Sequence, residues 1–355
     1  MPEEVTGRAG RLRRRSFLVG AAALPFLLTG CLDKSSALQA SPAESGAFPV
    51  EIPHVFGMTR ISSAPKRVAV LGSSSADVCA GLGILPVGYS LAPERGQGTA
   101  PWLTDAVGKM NAILPPAYVE DQGLPTTELT AARPDLILAV NAKFTRDEYH
   151  KLSGIAPTVA WPARPADTDW RTLTRVVGKS LGRAQAAEDL VNRVDSEIVA
   201  AAGAYTGLQG SSVLCIGARS APGSGFEVYL EDSNPMRVLK DFGLKPADSL
   251  VNIVAQGKPA DPGFGPKVVL WDSARAAELR ADIVVVAVQP GERLDILNNG
   301  VLGSIPAARR ESIVVIGADT DMYALTAASP ASVEWTLKTL LPELARSAYR
   351  AKGGK

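Results

Sequence analysis

The side chains that most often carry out covalent or acid–base chemistry are scarce in this chain. Its 355 residues include two histidines, His54 and His150, and three cysteines, Cys31, Cys79 and Cys215. The sequence contains no Gly-x-Ser-x-Gly elbow, Walker loop, His-Glu-x-x-His or Cys-x-x-Cys pattern. Two histidines also leave little material for a serine–histidine–aspartate arrangement. We therefore predict no catalytic residue, no metal ligand and no cofactor, and we expect a binding protein and not an enzyme.

The composition is that of a globular protein without a strong net charge. Hydrophobic residues make up 46% and charged residues 21% of the chain, and the formal net charge is +1. A nearly neutral chain lacks the basic surface that nucleic-acid binding requires, so we exclude that class of partner. Three cysteines do not form a disulfide framework. Cys79 and Cys215 lie in apolar runs, and we interpret both as buried hydrophobic residues.

The N-terminal segment has the pattern of an export signal. Arginines at positions 13–15 precede an apolar run over residues 19–28, which is shorter than the roughly 20 apolar residues of a membrane-spanning helix. A basic start followed by a short apolar run is typical of a signal peptide. Residues 14–18 resemble the twin-arginine export signal, and the general secretory route is the alternative.

Residues 28–31, Leu-Thr-Gly-Cys, follow the apolar run and resemble the lipobox of bacterial lipoproteins. This resemblance implies cleavage before Cys31 and attachment of lipid at that cysteine, and two or more acyl chains hold a protein stably on a bilayer. Residues 31–47 are rich in Ser and Ala and show no period, so we predict a flexible tether. We expect the mature protein in the cell envelope, anchored to the outer face of the cytoplasmic membrane.

The rest of the chain repeats one order of strands and helices in two halves. Apolar strands at 67–72 and 136–140 correspond to apolar strands at 212–217 and 283–287, with helical segments between them. Apolar strands that alternate with helices predict parallel sheets that are covered on both faces. We therefore predict an α/β fold of two Rossmann-like lobes with parallel-rich sheets and a ligand cleft between the lobes.

Residues 169–203 lie between the halves and carry apolar residues at helical spacing. We predict one long connecting helix that begins near Asp169, although Gly178 and Gly182 leave two helices open as an alternative. The predicted domain boundaries are residues 1–30 for the signal peptide, 31–47 for the tether, 48–168 for the N-terminal lobe, 169–203 for the connecting helix, 204–349 for the C-terminal lobe and 350–355 for the tail.

Three blocks of sequence resemble the siderophore- and cobalamin-binding proteins of ABC importers, the class III periplasmic binding proteins. These blocks are residues 65–88, residues 129–138 (Leu-Thr-Ala-Ala-Arg-Pro-Asp-Leu-Ile-Leu) and residues 148–159. The resemblance covers about residues 48–344. It implies capture of a ferric–siderophore complex and delivery to the permease of an ABC importer. An envelope scaffold that binds a protein, and a binder of another solute such as haem or cobalamin, are the alternatives.

The resemblance also directs attention to the residues that would hold such a ligand. A ferric siderophore is bulky and rich in oxygen atoms, so binding it calls for aromatic walls and arginine donors. Loops that follow predicted strand ends supply both kinds of side chain. The predicted ligand-binding residues are Arg95, Trp102, Trp161, Arg219 and Tyr229.

Docking on the permease is a second property that the resemblance implies. In this family an acidic residue on each lobe meets arginines of the permease, and Glu128 falls at the position on the N-terminal lobe. The matching position on the C-terminal lobe is Ala274, and the nearby Asp272 and Glu278 could substitute for the missing acid; of these two we predict Asp272. We expect the protein to be a monomer.

Overall fold

The structure is a computed structural model, and it describes residues 42–72, 74–91, 98–120, 123–164, 168–218, 225–260, 267–289 and 300–354. The predicted signal peptide, the lipidation site Cys31 and the predicted ligand residues Arg95 and Arg219 lie outside these residues. No helix in the described part of the chain combines the length and the apolar character needed to cross a lipid bilayer.

The N-terminal lobe is built on a five-stranded parallel sheet with the strand order β5-β4-β3-β6-β7. Its strands are β3 (Val68–Gly72), β4 (Gly88–Leu91), β5 (Ala117–Val119), β6 (Leu136–Asn141) and β7 (Thr158–Val159). An antiparallel hairpin precedes the sheet and consists of β1 (Val50–His54) and β2 (Gly57–Ile61). All six residues of β6 are buried because helices and loops cover both faces of the sheet.

Among the described residues of this lobe, four helices connect the strands. They are α1 (Ser75–Gly81), α2 (Pro101–Lys109), α3 (Thr126–Ala132) and α4 (Arg146–Ile155). A capping box starts α4: the Thr145 side chain accepts a hydrogen bond from the backbone N–H of Glu148, and the Glu148 carboxylate accepts one from the backbone N–H of Thr145. Such reciprocal bonds satisfy two donors that a helix start leaves without partners.

The C-terminal lobe contains a mixed sheet with the strand order β11-β12-β9-β8-β13-β14, and β10 pairs with β8 outside this path. The strands are β8 (Ser212–Ala218), β9 (Phe226–Tyr229), β10 (Lys245–Pro246), β11 (Lys258–Pro259), β12 (Val268–Trp271), β13 (Ile283–Val288) and β14 (Ile313–Gly317). β8, β10, β13 and β14 run parallel, whereas β9 is antiparallel to β8. The predicted α/β fold of two lobes with parallel-rich sheets is confirmed.

Helices surround this second sheet and continue to the end of the described chain. They are α7 (Asn234–Asp241), α8 (Ser249–Gln256), α9 (Gly300–Gly303), α10 (Asp321–Thr326), α11 (Pro330–Thr339) and α12 (Leu341–Ala351), with short 3-10 helices at Ser273–Glu278 and Pro306–Arg310. Although α11 belongs to the C-terminal part of the chain, it packs against α1 and α2 of the N-terminal lobe.

The segment between the lobes contains two helices, α5 (Trp170–Ser180) and α6 (Ala184–Gly203), so the prediction of one long connecting helix was wrong. Gly182 adopts a left-handed backbone conformation with φ of +66°. The N–H of Arg183 bonds to the carbonyl of Gly178 at 2.8 Å, which closes the end of α5. The predicted start is confirmed, because the Asp169 carboxylate caps α5 at the N–H groups of Arg171 and Thr172.

The predicted tether extends too far into the chain, because residues 42–47 belong to the folded body. The N–H of Glu44 donates to the carbonyl of Gly182 at 2.8 Å. The Glu44 carboxylate accepts a hydrogen bond of 2.7 Å from the N–H of Gln185 in the first turn of α6. A helix start needs acceptors for its free N–H groups, and Glu44 supplies one. The predicted tether can therefore extend no further than residue 41.

One hydrophobic core runs through both lobes. It joins Val70 of β3 and Leu138 of β6 to Val213 of β8 and Val285 of β13, by way of helices that include α5, α6 and α11. Two smaller clusters cover the other faces of the two sheets. The two lobes therefore share buried apolar surface and do not merely touch at a hinge.

Candidate ligand cleft

The carboxyl ends of the two sheets lie close together. Ser74, which follows β3, donates from its hydroxyl to the carbonyl of Ala327 after α10 at 2.7 Å. The Asn234 side chain at the start of α7 donates to the carbonyls of Thr168 at 3.5 Å and Thr326 at 3.1 Å. In open α/β sheets, ligands bind in the crevice at the carboxyl ends of the strands. We call the region that these ends enclose the candidate cleft.

A carboxylate links the strand ends of the N-terminal sheet. Glu120 follows β5, and its Oε1 accepts a hydrogen bond of 3.0 Å from the N–H of Gly72 at the end of β3. The hydroxyl of Ser90 in β4 donates to the same oxygen. Three neighbouring strand ends are therefore tied together by one side chain. The sequence analysis does not identify Glu120, because it predicts no strand at residues 117–119 that would draw attention to the acid that follows.

A buried network around Asp77 joins the two lobes beside the cleft. Asp77 lies in the first turn of α1, and its Oδ2 accepts hydrogen bonds of 2.7 Å from Trp102 Nε1 and 2.7 Å from the hydroxyl of Ser329. Trp102 is on α2 and only 5% exposed, whereas Ser329 caps α11. The Trp102 ring stacks on Tyr323 of α10 with centroids 6.0 Å apart. Trp102 is therefore a packing residue at this junction of the two lobes around Asp77, which we call the seam. Its contact with a ligand stays a prediction.

Trp161 lies in an aromatic cluster that is part of the outer core of the N-terminal lobe. Its ring is 4.6 Å from Phe144 and 5.2 Å from Phe56, measured between centroids, and the side chain is 3% exposed. This cluster packs with Ala69 and Ile137 on one face of the sheet. A direct ligand contact of Trp161 would therefore require the side chain to leave its cluster, and its predicted role stays a prediction.

Tyr229 and its neighbours lie near a charged contact between the lobes. Tyr229 ends β9 opposite Val268 of β12 and is half-buried. Asp232 follows it and receives a hydrogen bond at its backbone carbonyl from Lys267 Nζ at 2.7 Å. Arg164, which follows β7 in the N-terminal lobe, approaches the Asp232 carboxylate at 4.0 Å. Tyr229 thus keeps accessible surface, whereas the predicted Trp102 and Trp161 are almost fully buried.

The predicted permease-docking residues differ in their surroundings. Glu128 is exposed in the first turn of α3 and has no ion-pair or hydrogen-bond partner for its carboxylate among the described residues. Asp272 is also exposed, but its Oδ1 accepts a hydrogen bond of 2.8 Å from the N–H of Ala274. Glu278 is paired through both carboxylate oxygens with Arg275, at 2.8 and 2.7 Å. Of these three acids, Glu128 is the one whose carboxylate makes no hydrogen bond or ion pair within the described part of the chain.

Burial shifts the pKa values of two cysteines and one histidine. Burial raises the pKa of the Cys79 and Cys215 thiols to about 12, which matches the prediction that both are buried hydrophobic residues. Burial also lowers the pKa of His54, whose Nδ1 accepts a hydrogen bond of 3.2 Å from the N–H of Phe56. The described residues contain no cluster of three or more His, Cys, Asp or Glu side chains that could hold a metal ion.

Two α/β lobes that meet at the carboxyl ends of their sheets define a two-lobed solute-binding protein. The periplasmic binding protein family matches residues 68–320 of the sequence, and the chain belongs to that family. Its family and fold are those of solute-binding proteins. This assignment agrees with the resemblance that the three sequence blocks indicate.

Individual relatives agree with the family assignment. A putative ABC transporter substrate-binding lipoprotein of Bacillus subtilis, YhfQ, is 27% identical over 177 residues, which are 49% of this chain and 51% of the relative. The chain therefore matches about half the length of that curated relative. The crystal structure of PiaA from Streptococcus pneumoniae in complex with ferrichrome has a TM-score of 0.72 and 26% identity, covering 85% of this chain and 99% of PiaA. A periplasmic solute-binding protein of Mycobacterium smegmatis has a TM-score of 0.70 and 25% identity, covering 84% of this chain and 98% of the relative.

Proposed function

We propose that this protein captures a ferric–siderophore complex outside the cytoplasmic membrane and delivers it to the permease of an ABC importer. The observation that carries the proposal is the similarity to PiaA, which was crystallised with ferrichrome and which this chain matches over 99% of its length. The candidate cleft at the strand ends is the place where such a ligand binds. The iron is cargo inside its chelator, so the protein needs no metal ligands of its own.

The ligand-binding set consists of Arg95, Trp102, Trp161, Arg219 and Tyr229. Among the three that the structure describes, Tyr229 is half-buried and keeps accessible surface, whereas Trp102 and Trp161 are almost fully buried. Trp102 acts through Tyr323, on which it stacks. Arginine side chains suit the oxygen-rich chelating groups because they donate several hydrogen bonds in a fixed plane.

The location follows from the N-terminal segment. Export removes residues 1–30, lipid attaches to Cys31, and the residues that follow link the lipid to a body that begins by residue 42. The N-terminal lobe, the connecting helices and the C-terminal lobe then form one soluble monomeric unit. Docking on the permease relies mainly on Glu128, with Asp272 in a lesser role because it already caps a turn.

A ligand titration tests the proposal and separates it from the alternatives. The full chain with Cys31→Ser is titrated with ferric hydroxamate, ferric catecholate and ferric citrate complexes, with haem and cobalamin as comparators, while tryptophan fluorescence is followed. We expect saturable quenching by one ferric class with a Kd of about 1 μM or below, and none by its iron-free form. Saturation by haem or cobalamin alone, or by none of these compounds, would overturn the ferric-siderophore assignment.

A further inference from the structure

A further aromatic side chain lies at the strand ends that enclose the candidate cleft. Tyr323 is in the first turn of α10, the helix that follows β14. One helical turn later, the carbonyl of Thr326 accepts a hydrogen bond of 3.1 Å from Asn234. The carbonyl of the next residue, Ala327, accepts one of 2.7 Å from Ser74. Tyr323 is therefore close to the crevice in which ligands of open α/β sheets bind.

Tyr323 keeps accessible surface, unlike its neighbours in the chain. Met322 is 5% exposed and Ala324 is completely buried, because both side chains belong to the main core. Tyr323 packs against the same core but is only half-buried. A large flat side chain of this kind beside a crevice is typical of the walls of small-molecule sites.

The indole of Trp102 holds the Tyr323 ring in place. The two rings are nearly parallel, with 14° between their planes and 6.0 Å between their centroids. Trp102 is itself fixed, because its Nε1 donates to the buried carboxylate of Asp77 at 2.7 Å. Since Trp102 is on α2 of the N-terminal lobe and Tyr323 is on α10, the stack crosses the seam. A ring that is already held by its neighbour loses little conformational freedom when a ligand binds.

We propose that Tyr323 is a wall of the ligand site and that Trp102 is a positioning residue that acts through it. This inference rests on the proposed function, because it names a contact for the solute that the protein carries. The Tyr323 ring packs against the carbon framework of the chelator that encloses the iron. The contact that the sequence predicts for Trp102 is then made by Tyr323.

Removing the ring tests the wall. Tyr323→Ala, Tyr323→Phe and Tyr349→Ala are made in the full chain with Cys31→Ser and are shown to unfold cooperatively in urea. Isothermal titration calorimetry then gives the Kd of each variant for ferric hydroxamate, ferric catecholate and ferric citrate complexes. Tyr349 lies on α12 and is 61% exposed, so Tyr349→Ala is the control for loss of a tyrosine.

The affinities are expected to follow the aromatic ring. Tyr323→Ala should raise the Kd about tenfold, because a well-packed aromatic ring contributes a factor of this order. Tyr323→Phe keeps the ring and should stay within about threefold of the unchanged chain. Tyr349→Ala should leave the Kd unchanged. Equal Kd values for Tyr323→Ala and the unchanged chain would overturn the inference.

Variants of the seam separate positioning from stability. Trp102→Leu removes the stack, whereas Ser329→Ala removes the other hydrogen bond to Asp77 and leaves the stack in place. We expect Trp102→Leu to raise the Kd about threefold, and Ser329→Ala to leave it unchanged. Trp102→Phe, which keeps a ring beside Tyr323, should restore most of the affinity. Equal effects of Trp102→Leu and Ser329→Ala would overturn the positioning role.

A double variant tests whether Trp102 acts only through Tyr323. Trp102→Leu should add nothing in the presence of Tyr323→Ala, and a further loss of affinity would show that Trp102 contacts the solute itself. The same titrations distinguish this inference from the proposed function. If the unchanged chain binds none of the ferric complexes, the proposed function fails and the inference fails with it. If the unchanged chain and Tyr323→Ala bind one complex equally well, only the inference fails.

Discussion

Ser329 donates a hydrogen bond of 2.7 Å to the Asp77 carboxylate, and this bond joins the C-terminal part of the chain to the first helix of the N-terminal lobe. Trp102 donates to the same oxygen from a third element. Asp77 is almost fully buried. A buried carboxylate requires such donors, because burying it without them is costly in free energy. The seam between the lobes is thus held by one acid as well as by apolar packing.

Replacing this acid should lower stability more than removing either donor. We expect Asp77→Ala to reduce the free energy of unfolding by about 3 kcal/mol, because the indole N–H and the hydroxyl both lose their acceptor inside the core. Ser329→Ala should cost about 1 kcal/mol, because it removes one donor and leaves the carboxylate bonded to Trp102. Urea unfolding at pH 7 measures both. Equal losses for the two variants would show that the seam does not depend on the carboxylate.

Lowering the pH should destabilise the hairpin β1–β2, because the His54 ring becomes protonated. Nδ1 of His54 accepts the N–H of Phe56, and Nε2 lies 2.9 Å from Thr59 Oγ1, which donates to the carbonyl of Thr158. These partners require the neutral ring, and burial lowers the pKa of His54 in the folded state. The unfolded chain therefore binds more protons as pH falls below about 6.5, and stability decreases with falling pH in that window.

The contribution of His54 can be isolated with two variants. The groups that face the His54 ring include Tyr149, whose hydroxyl is 3.3 Å from Nε2, and Arg146 lies over the neighbouring Phe56 ring. We expect His54→Leu to lose part of the pH dependence between about pH 6.5 and 5, whereas His150→Gln, at an exposed position, keeps all of it. Urea midpoints across this range measure the difference. Equal slopes in both variants would contradict the assignment to His54.

The break between α5 and α6 depends on glycine. A Cβ atom at Gly182 would clash with the Phe48 ring, and the residue has a left-handed φ. Gly182→Ala should therefore lower the free energy of unfolding by about 2 kcal/mol. Gly203→Ala is the matched control, because nothing lies within 4 Å of a Cβ at this helix end, and it should be neutral or stabilising by about 0.5 kcal/mol. Thermal unfolding compares the two; a milder effect at Gly182 would contradict the role of Phe48.

Docking on the permease should be unequal between the lobes. We expect Glu128→Gln to weaken binding of the loaded protein to its permease about tenfold, because an exposed carboxylate without an internal partner is available to a cation. Asp272→Asn should have a smaller effect, since the amide oxygen can still accept the N–H of Ala274. Siderophore affinity serves as the control and should not change in either variant. Equal losses of permease binding would show that Asp272 substitutes fully for the acid that Ala274 replaces.

The strands and the order of the two lobes could be predicted because they depend on local patterns. Apolar runs such as Leu136–Asn141 are buried on both faces, and that burial is visible as an uninterrupted run in the sequence. The sequence shows the glycine at position 182 but does not by itself predict the break there, because glycine also occurs within helices. The clash that a Cβ atom would make there involves the Phe48 ring, which lies more than 130 positions earlier.

The ligand-binding site could be predicted less well, because aromatic side chains are common both in hydrophobic cores and in the walls of ligand sites. Trp161 follows a strand, as a wall residue would, yet it packs on Phe56 and Phe144. Asp77 is one polar residue in a largely apolar helix, and only the fold brings Ser329 to it across 252 positions. Both residues are placed by contacts with segments that are distant in the sequence. The spacing of residues within one segment cannot predict such contacts.

The shared core has a consequence for how a solute would be held. Separating the lobes widely would divide this core and expose apolar side chains to water, at about 1.5–3 kcal/mol for each large side chain. A wide opening and closing motion of the two lobes would therefore cost too much free energy. Under the proposed function, the dwell time of the bound solute would then depend on contacts in the candidate cleft more than on a closing motion of the lobes.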